Sequence, residues 1–481
     1  MSSPSKNQSK EYYNAHWKIT SVILACSIGL SFYFGIWVFI GGFWVWWAAG
    51  YMQEIPFGLL RPIAYGGWAF LIACLCIDIY CTLRLIQRRG KGRYRFAYAS
   101  AIIILIAGTV AFINFGGGSF PTQNTPLIVL AGPDPSTGVV IDCFTPASQG
   151  NLVMDWNKNG SSTVTQAFDT RGNGNTHCFI IDGLQPNTTY EYRLVANSSS
   201  TQSVPAGNDQ PRYFKTAPSN TTNGFSFLSI SDIHSNFVSP LVTRMAAEKT
   251  DFIIEAGDIS DNGALASDWD GYFSTASPLF AGPNASAPVK ILLPVIGNHE
   301  TNFFGKPSFD RYFHGIGNGT GSPYYYRVDV GNVHFIALDI EWGLESFTSD
   351  QATWFNSTLA SINPSDWIIV MTHCPVFSSG DDGNVTGVAA KIAPLLEHHG
   401  VDLVISGHDH HYERIVHNNV TYMLTATVHP EDPPVPKIPG SQVCIWGQVM
   451  YARYVIHGNR LDLTSIYENG TIADTATIYN R

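Results

Sequence analysis

Charge is what this 481-residue chain has least of: Asp, Glu, Lys and Arg together make up 13% of it, about half the usual quarter. Hydrophobic residues reach 45%, which excludes a disordered or coiled-coil protein and implies that part of the chain avoids water. The few charges are unevenly placed. Residues 1–120 hold 10 Lys/Arg against 3 Asp/Glu, and residues 121–481 hold 17 against 34. The acidic part has no basic stripe, which argues against binding along a nucleic-acid backbone. Cysteine is also sparse. Of the eight, Cys26, Cys74, Cys76 and Cys81 fall within apolar runs. The other four allow two disulfides in an oxidising compartment. Cys143–Cys178 and Cys374–Cys444 keep each bridge inside one domain, unless Cys374, beside a candidate ligand, stays reduced. The glycine-rich run Gly315–Ser322 has no Lys after it and no dinucleotide-binding spacing, so it reads as a loop.

The chain has no charge between Lys18 and Glu54, Arg61 and Asp78, or Arg95 and Asp134. Three apolar stretches fill these gaps: Ile19–Tyr51, Pro62–Leu83 and Phe96–Phe115. Each holds the ~20 residues that span a bilayer, and three in series exclude a cleaved signal peptide. The first is longer than one upright helix needs. Its Trp44-Val-Trp46-Trp47 suits the headgroup region, and a hairpin broken at Gly41-Gly42 is the alternative. The loop Arg84–Arg95 carries six positive charges and no negative one, which places it in the cytoplasm. Three spans then put residues 1–18 on the same side and everything after Phe115 outside the cell or in a lumen. A hairpin would instead split the two basic segments across the bilayer. Asp78 lies six residues from Arg84, close enough to the cytoplasmic face to stay hydrated, so a transport role is the weaker reading. Ten N-x-S/T sequons between Asn159 and Asn469 agree with the outward location and would accept N-glycans in a eukaryote.

Residues 116–124 form a Gly/Ser/Pro linker. From 125 to 219, short β-rich runs alternate with turn residues, as in Leu127-Ile-Val-Leu and Tyr190-Glu-Tyr-Arg-Leu-Val, which suggests an all-β sandwich. None of it carries catalytic chemistry, and it reads as a structural spacer. From 224 to 481 the pattern becomes α/β, and five apolar runs each end in metal-ligand chemistry. Phe225-Ser-Phe-Leu-Ser-Ile leads to Asp232 and His234, and Asp251-Phe-Ile-Ile-Glu leads to Asp258 and Asp261. Ile291-Leu-Leu-Pro-Val-Ile leads to Asn298-His299-Glu300, and Asp366-Trp-Ile-Ile-Val-Met leads to His373. Val401-Asp-Leu-Val-Ile-Ser leads to Gly407-His408-Asp-His410-His-Tyr-Glu-Arg414. Strand ends are where α/β sheets collect ligand sites. One His beside an apolar run is ordinarily structural; five such segments point to a metal site. The mixed imidazole and carboxylate set suits Zn, Fe, Mn or Ni over Ca or Mg, and exceeds one tetrahedral shell, so two metals are expected.

The ordered motifs D-x-H, G-D-x-x-D, G-N-H-E, H-x-P and G-H-x-H resemble those of the calcineurin-like metallophosphoesterases. With Gly183–Tyr192, which resembles the turn and tyrosine of fibronectin type III-like domains, residues 125–475 look like the purple acid phosphatase branch. The resemblance implies a four-layer αββα catalytic domain behind the sandwich. It implies a first metal on Asp232, His234, Asp258 and His410, and a second on Asp258, Asn298, His373 and His408. A metal-bound hydroxide would attack phosphorus, and His299 would protonate the leaving group or stabilise charge. Asp409, Glu413 and Arg414 would be supporting groups.

The chain also departs from that branch. Asp261 stands where purple acid phosphatases carry the tyrosine that gives their colour, and His234 supplies a ligand they usually lack. A colourless centre of Fe, Zn or Mn is expected. Ser378–Gly387 lacks a substrate-facing His often found there, and Glu431–Gly440 replaces a glycine-rich segment. The expected activity is membrane-anchored, acid phosphatase-like hydrolysis of phosphate monoesters. The rivals are a phosphodiesterase acting on nucleotides or lipid head groups, and a non-catalytic receptor on a phosphatase scaffold.

Overall fold

The computed structural model describes residues 127–480, apart from the segments 150–151, 172–173, 197–209, 223, 283–286, 303–304, 318–321, 381–385, 426–427 and 429–436. The expected spans and linker lie outside the described residues, as does most of the Pro-rich run after Glu431. Among the described residues, no helix is long and apolar enough to cross a membrane.

Two sheets of nine and seven strands carry the structure. Phe225–Ile230, Phe252–Ala256 and Ile291–Val295 run parallel in the first. Val333–Ala337, Trp367–Met371, Leu403–Ser406 and Val420–Leu424 run parallel in the second. Their sequences are almost unbroken apolar runs because both faces are covered. In Trp367–Met371, the alternate residues Trp367, Ile369 and Met371 join a core that also holds Phe227 and Phe335. The rings of Phe227 and Phe335, one from each sheet, meet edge to face at 5.2 Å. Ile368 and Val370, pointing the other way, pack with Phe355, Leu359, Val388 and Leu396 of the helices Ser349–Ala360 and Thr386–His398. On the outer side of the first sheet, Tyr272 of the helix Ala266–Thr275 donates to Glu255 Oε2 at 2.6 Å. The layers therefore run helix, sheet, sheet, helix.

The β-rich region is less separate than its sequence suggests. It builds a four-stranded sheet from Thr165–Phe168, Leu152–Lys158, Thr189–Ala196 and Arg212–Lys215. The strands Ile128–Ala131, Gly138–Gln149 and Gly174–Asp182 do not form a sheet of their own. Ile128–Ala131 lies parallel to Ile291–Val295, with Leu130 opposite Leu292, and so extends the nine-stranded sheet. The described residues all fall within one compact unit. The turn after Gly183 is closed by Gln185 N donating to Tyr190 Oη at 2.8 Å.

Neither expected disulfide forms. Cys178 lies opposite Asp142 and Cys143 opposite His177 on paired strands. Adjacent strand positions point to opposite faces, so the two sulfurs are aimed apart. Cys374 Sγ donates to Trp342 O at 3.2 Å, while Cys444 sits opposite Glu413 on a different pair of strands.

Candidate metal centre

The seven predicted ligands come together at the C-terminal ends of parallel strands from both sheets. Asp232 and His234 follow Phe225–Ile230, and Asp258 follows Phe252–Ala256. Asn298 opens a short helix after Ile291–Val295, His373 follows Trp367–Met371, and His408 and His410 follow Leu403–Ser406. The turns that present them are sharp. Asp232, His234, Asp258 and His408 all have positive φ, between 46° and 77°. For non-glycine residues this costs of order 1–3 kcal/mol each and persists where surrounding structure enforces it. Gly257, at φ +93°, sits so close under His373 that a Cβ there would lie 2.3 Å from Nδ1.

The ligand atoms fall into two groups that share Asp258. Asp232, His234, Asp258 and His410 form one, with Asp258, His373 and His408 in the other, and within each the atoms lie within 4.8 Å of one another. His410 Nε2 is 3.5 Å from Asp232 Oδ1 and 3.1 Å from His234 Nε2. In the second group, His373 Nε2 lies 3.2 Å from Asp258 Oδ2 and 2.9 Å from Asn298 Oδ1. His408 Nδ1 is 3.0 Å from the same amide oxygen. Ligands of a tetrahedral cation bound at ~2.1 Å stand about 3.4 Å apart, so these spacings fit two transition-metal shells. Donor chemistry agrees: imidazole, carboxylate and one neutral amide oxygen, the set that suits Zn, Fe or Mn.

Neighbouring groups hold these side chains in place. His373 Nδ1 donates to Ala256 O at 2.8 Å, which leaves Nε2 to face the centre. Glu300, fully buried, accepts from the backbone N–H groups of Asp258, Ser260 and Gly297 at 3.0, 2.8 and 2.8 Å. It thereby ties the Asp258 turn to the Asn298 turn. Burial would raise the Asp258 carboxyl, but His373 and then His299 hold it well below the usual range. Burial opposes protonation of His373, yet Asp258 lifts it to about 10. Burial and the charge of His373 push His408 down to about 3. The shared carboxylate is therefore ionised, as bridging requires.

His299 stands beside both groups and is the more open, its side chain 28% exposed. Its Nδ1 donates to Asp261 O at 2.6 Å, so Nε2, 3.9 Å from Asp258 Oδ2, faces the centre. Asp261 Oδ1 lies 3.5 Å from His234 Nδ1 and 3.6 Å from His299 Nδ1. One contributing strand end went unread in the sequence. Val333–Ala337 leads to Asp339, Glu341 and Trp342, and the Trp342 ring meets His408 edge to face at 5.0 Å. Lys306 Nζ bridges Asp339 and Glu341 at 2.7 Å each. The signal was an apolar run ending in two acids, but acids paired to a lysine resemble ligands in sequence. The role of Glu300 was hidden for another reason: it supports the backbone and belongs to neither ligand group.

Residues 225–412 match the calcineurin-like phosphoesterase family. Among curated proteins, purple acid phosphatase 22 of Arabidopsis thaliana is 28% identical over 51% of this chain and 55% of its own length. Purple acid phosphatase 1 of Ipomoea batatas is 26% identical over 60% of this chain and 64% of its own. The chain thus spans less than two thirds of these relatives. A solved structure from Plasmodium, described as GAP50, the anchor in the inner membrane complex, is 17% identical. It covers 54% of this chain and 89% of its own, with a TM-score of 0.43. Residues 225–412 are thus similar to phosphoesterases of the hydrolase class, and they bring together residue clusters suited to metal ions.

Proposed function

We propose that this protein hydrolyses phosphate esters, monoesters first among them, at a centre of two transition-metal ions, and that residues 19–115 hold it in a membrane with residues 116–481 outside the cell or in a lumen. The observation that carries the catalytic part is Asp258: one buried carboxylate common to two ligand groups. Bound there, two cations supply Lewis acidity to the phosphoryl oxygens and lower the pKa of water. The chain's own residues do the rest. Asp232, His234, Asp258 and His410 hold one ion, and Asp258, Asn298, His373 and His408 the other. His299 donates from Nδ1 to Asp261 O, which leaves Nε2 to face the leaving-group oxygen; as the imidazolium, protonated on both nitrogens, it delivers the Nε2 proton there and is left neutral. Its partial exposure lets substrate reach it. We read residues 125–219 as a fibronectin type III-like module, supported by its four-stranded sheet and by the Tyr190 bond. The outward orientation is supported by the basic Arg84–Arg95 loop. The sequon residues Asn159, Asn187, Asn220, Asn356, Asn419 and Asn469 are all exposed, as glycan acceptors must be.

The test is turnover of p-nitrophenyl phosphate and of its bis ester by the purified full chain loaded with Fe, Mn or Zn. His299→Ala is expected to lower kcat by about 10²–10⁴ while leaving the bound metal unchanged. The ratio of the two esters separates a monoesterase from a diesterase. A fully loaded wild-type chain that turns over neither ester overturns the catalytic reading in favour of a receptor.

A further inference from the structure

Beyond the paired centre, the start of the strand Tyr412–His417 holds a second convergence of ligand atoms that uses none of the seven residues above. His411, Glu413 and Cys444 place a ring nitrogen, a carboxylate oxygen and a sulfur within 4.8 Å of one another. The sheet itself builds this cluster. His411 and Glu413 are two positions apart and so share a face. Glu413 lies directly opposite Cys444 in the pairing of Tyr412–His417 with Ser441–Ile445, where facing side chains stand ~5 Å apart. Tyr412, between them, points the other way and donates to Asp474 at 2.8 Å.

The imidazole is already oriented as a ligand. His411 Nδ1 donates to the Asp409 carbonyl, which fixes the tautomer and turns Nε2 toward Glu413 Oε2, 3.2 Å away. Trp446, just past the end of the strand Ser441–Ile445, stacks on the His411 ring at 3.9 Å and 12°, which restrains it from turning. His411 and Glu413 are buried and Cys444 is half-buried, so solvent reaches the cluster at Cys444, where a water would complete a fourfold shell. Thiolate, imidazole and carboxylate together are soft and borderline donors. They exclude Ca and Mg and suit zinc.

We propose that His411, Glu413 and Cys444 bind a third, zinc-type ion, separate from the paired centre, which fastens the loop that carries His408 and His410. Three segments meet there. Glu413 also accepts from Ser379 N and Oγ at 2.7 and 2.6 Å, on the stretch that follows His373. Ser379 Oγ in turn accepts from Ile438 N at 2.9 Å, on the approach to Cys444. A cation at this junction would clamp the His373 loop, the His408–His410 loop and the Ser441–Ile445 strand together. On coordination the Cys444 thiol gives up its proton to solvent and a sulfur–metal bond forms, with no change in oxidation state.

The experiment loads the chelated full chain with Co²⁺ as a coloured stand-in for zinc, and reads bound metal with the near-ultraviolet thiolate-to-cobalt band. Wild type is expected to show the band and Cys444→Ser to lose it together with one metal equivalent. Cys444→Ser changes one atom on a half-buried strand position, and circular dichroism checks that it is folded. Asp258→Asn should lose paired-centre metal and keep the band, so failure of the paired centre and failure of this site are told apart. A folded, cobalt-saturated wild type without the band overturns the proposal, as does a band that survives in Cys444→Ser.

Discussion

Two side chains stand beside the proposed ligands without belonging to either of the two groups that share Asp258. Asp261 occupies the position where a coloured phosphatase would place a tyrosinate, and it presents a carboxylate 3.5 Å from His234. Carboxylate and imidazole donors give no tyrosinate-to-iron transition. The iron-loaded protein is expected to lack that visible band, and a spectrum taken during turnover checks it; a strong band would mean that a tyrosine binds the metal. Glu300 acts through the backbone. Removing its carboxylate leaves the N–H groups of Asp258, Ser260 and Gly297 buried without an acceptor, at about 1–3 kcal/mol each. Glu300→Ala is expected to lower stability by about 3 kcal/mol or more in urea unfolding. Metal content should fall with it, because the Asp258 and Asn298 turns lose their common tie.

At the scale of elements, the decisive features are the turns that follow the strands. Each parallel strand is an ordinary buried apolar run; the unusual geometry starts one or two residues later. Gly257 shows why. Its positive φ and the absence of a Cβ let the backbone pass against His373. Gly257→Ala pays the backbone strain of order 1 kcal/mol and also pushes the His373 ring out of place. Calorimetry should show a lower Tm, and metal analysis a loss greater than the loss of stability alone explains. Wild-type occupancy in this variant would show that the close approach is dispensable.

At the largest scale, the β-rich region and the α/β region are joined through one sheet, so stability is shared between them. A buried carboxylic acid lends that stability a pH dependence. Glu255, on the outer face of the central strand Phe252–Ala256, is pushed by burial from 4.5 up to about 8, despite the bond from Tyr272. The folded state then holds a proton that the unfolded chain has lost between those two values. Stability is therefore expected to be greatest below about pH 4.5 as far as this group is concerned, to fall as pH rises toward 8, and to be flat above it. Tm measured across that range in wild type and Glu255→Gln checks the sign: the variant should show a shallower fall, and a steeper one would refute the assignment.

Much of this was legible in the sequence, for a physical reason. Strands buried on both faces must be apolar, so a ligand residue just past such a run stands out. That is why the five segments holding Asp232, His234, Asp258, Asn298, His373, His408 and His410 drew notice, while the resemblance to calcineurin-like motifs sorted them into ligands and set His299 beside them. Pairing between distant segments leaves no comparable mark. Only the fold joined Leu130 to Leu292, turned Cys143 and Cys178 to opposite faces of their strands, and brought Trp342 against His408. The third cluster depends on the same kind of fact: Glu413 faces Cys444 because of a strand register, 31 residues apart in the chain. Local chemistry and hydrophobic pattern are properties of neighbouring residues and are written in their order. Register, face and contact depend on which strands hydrogen-bond, and that is decided by packing over the entire core.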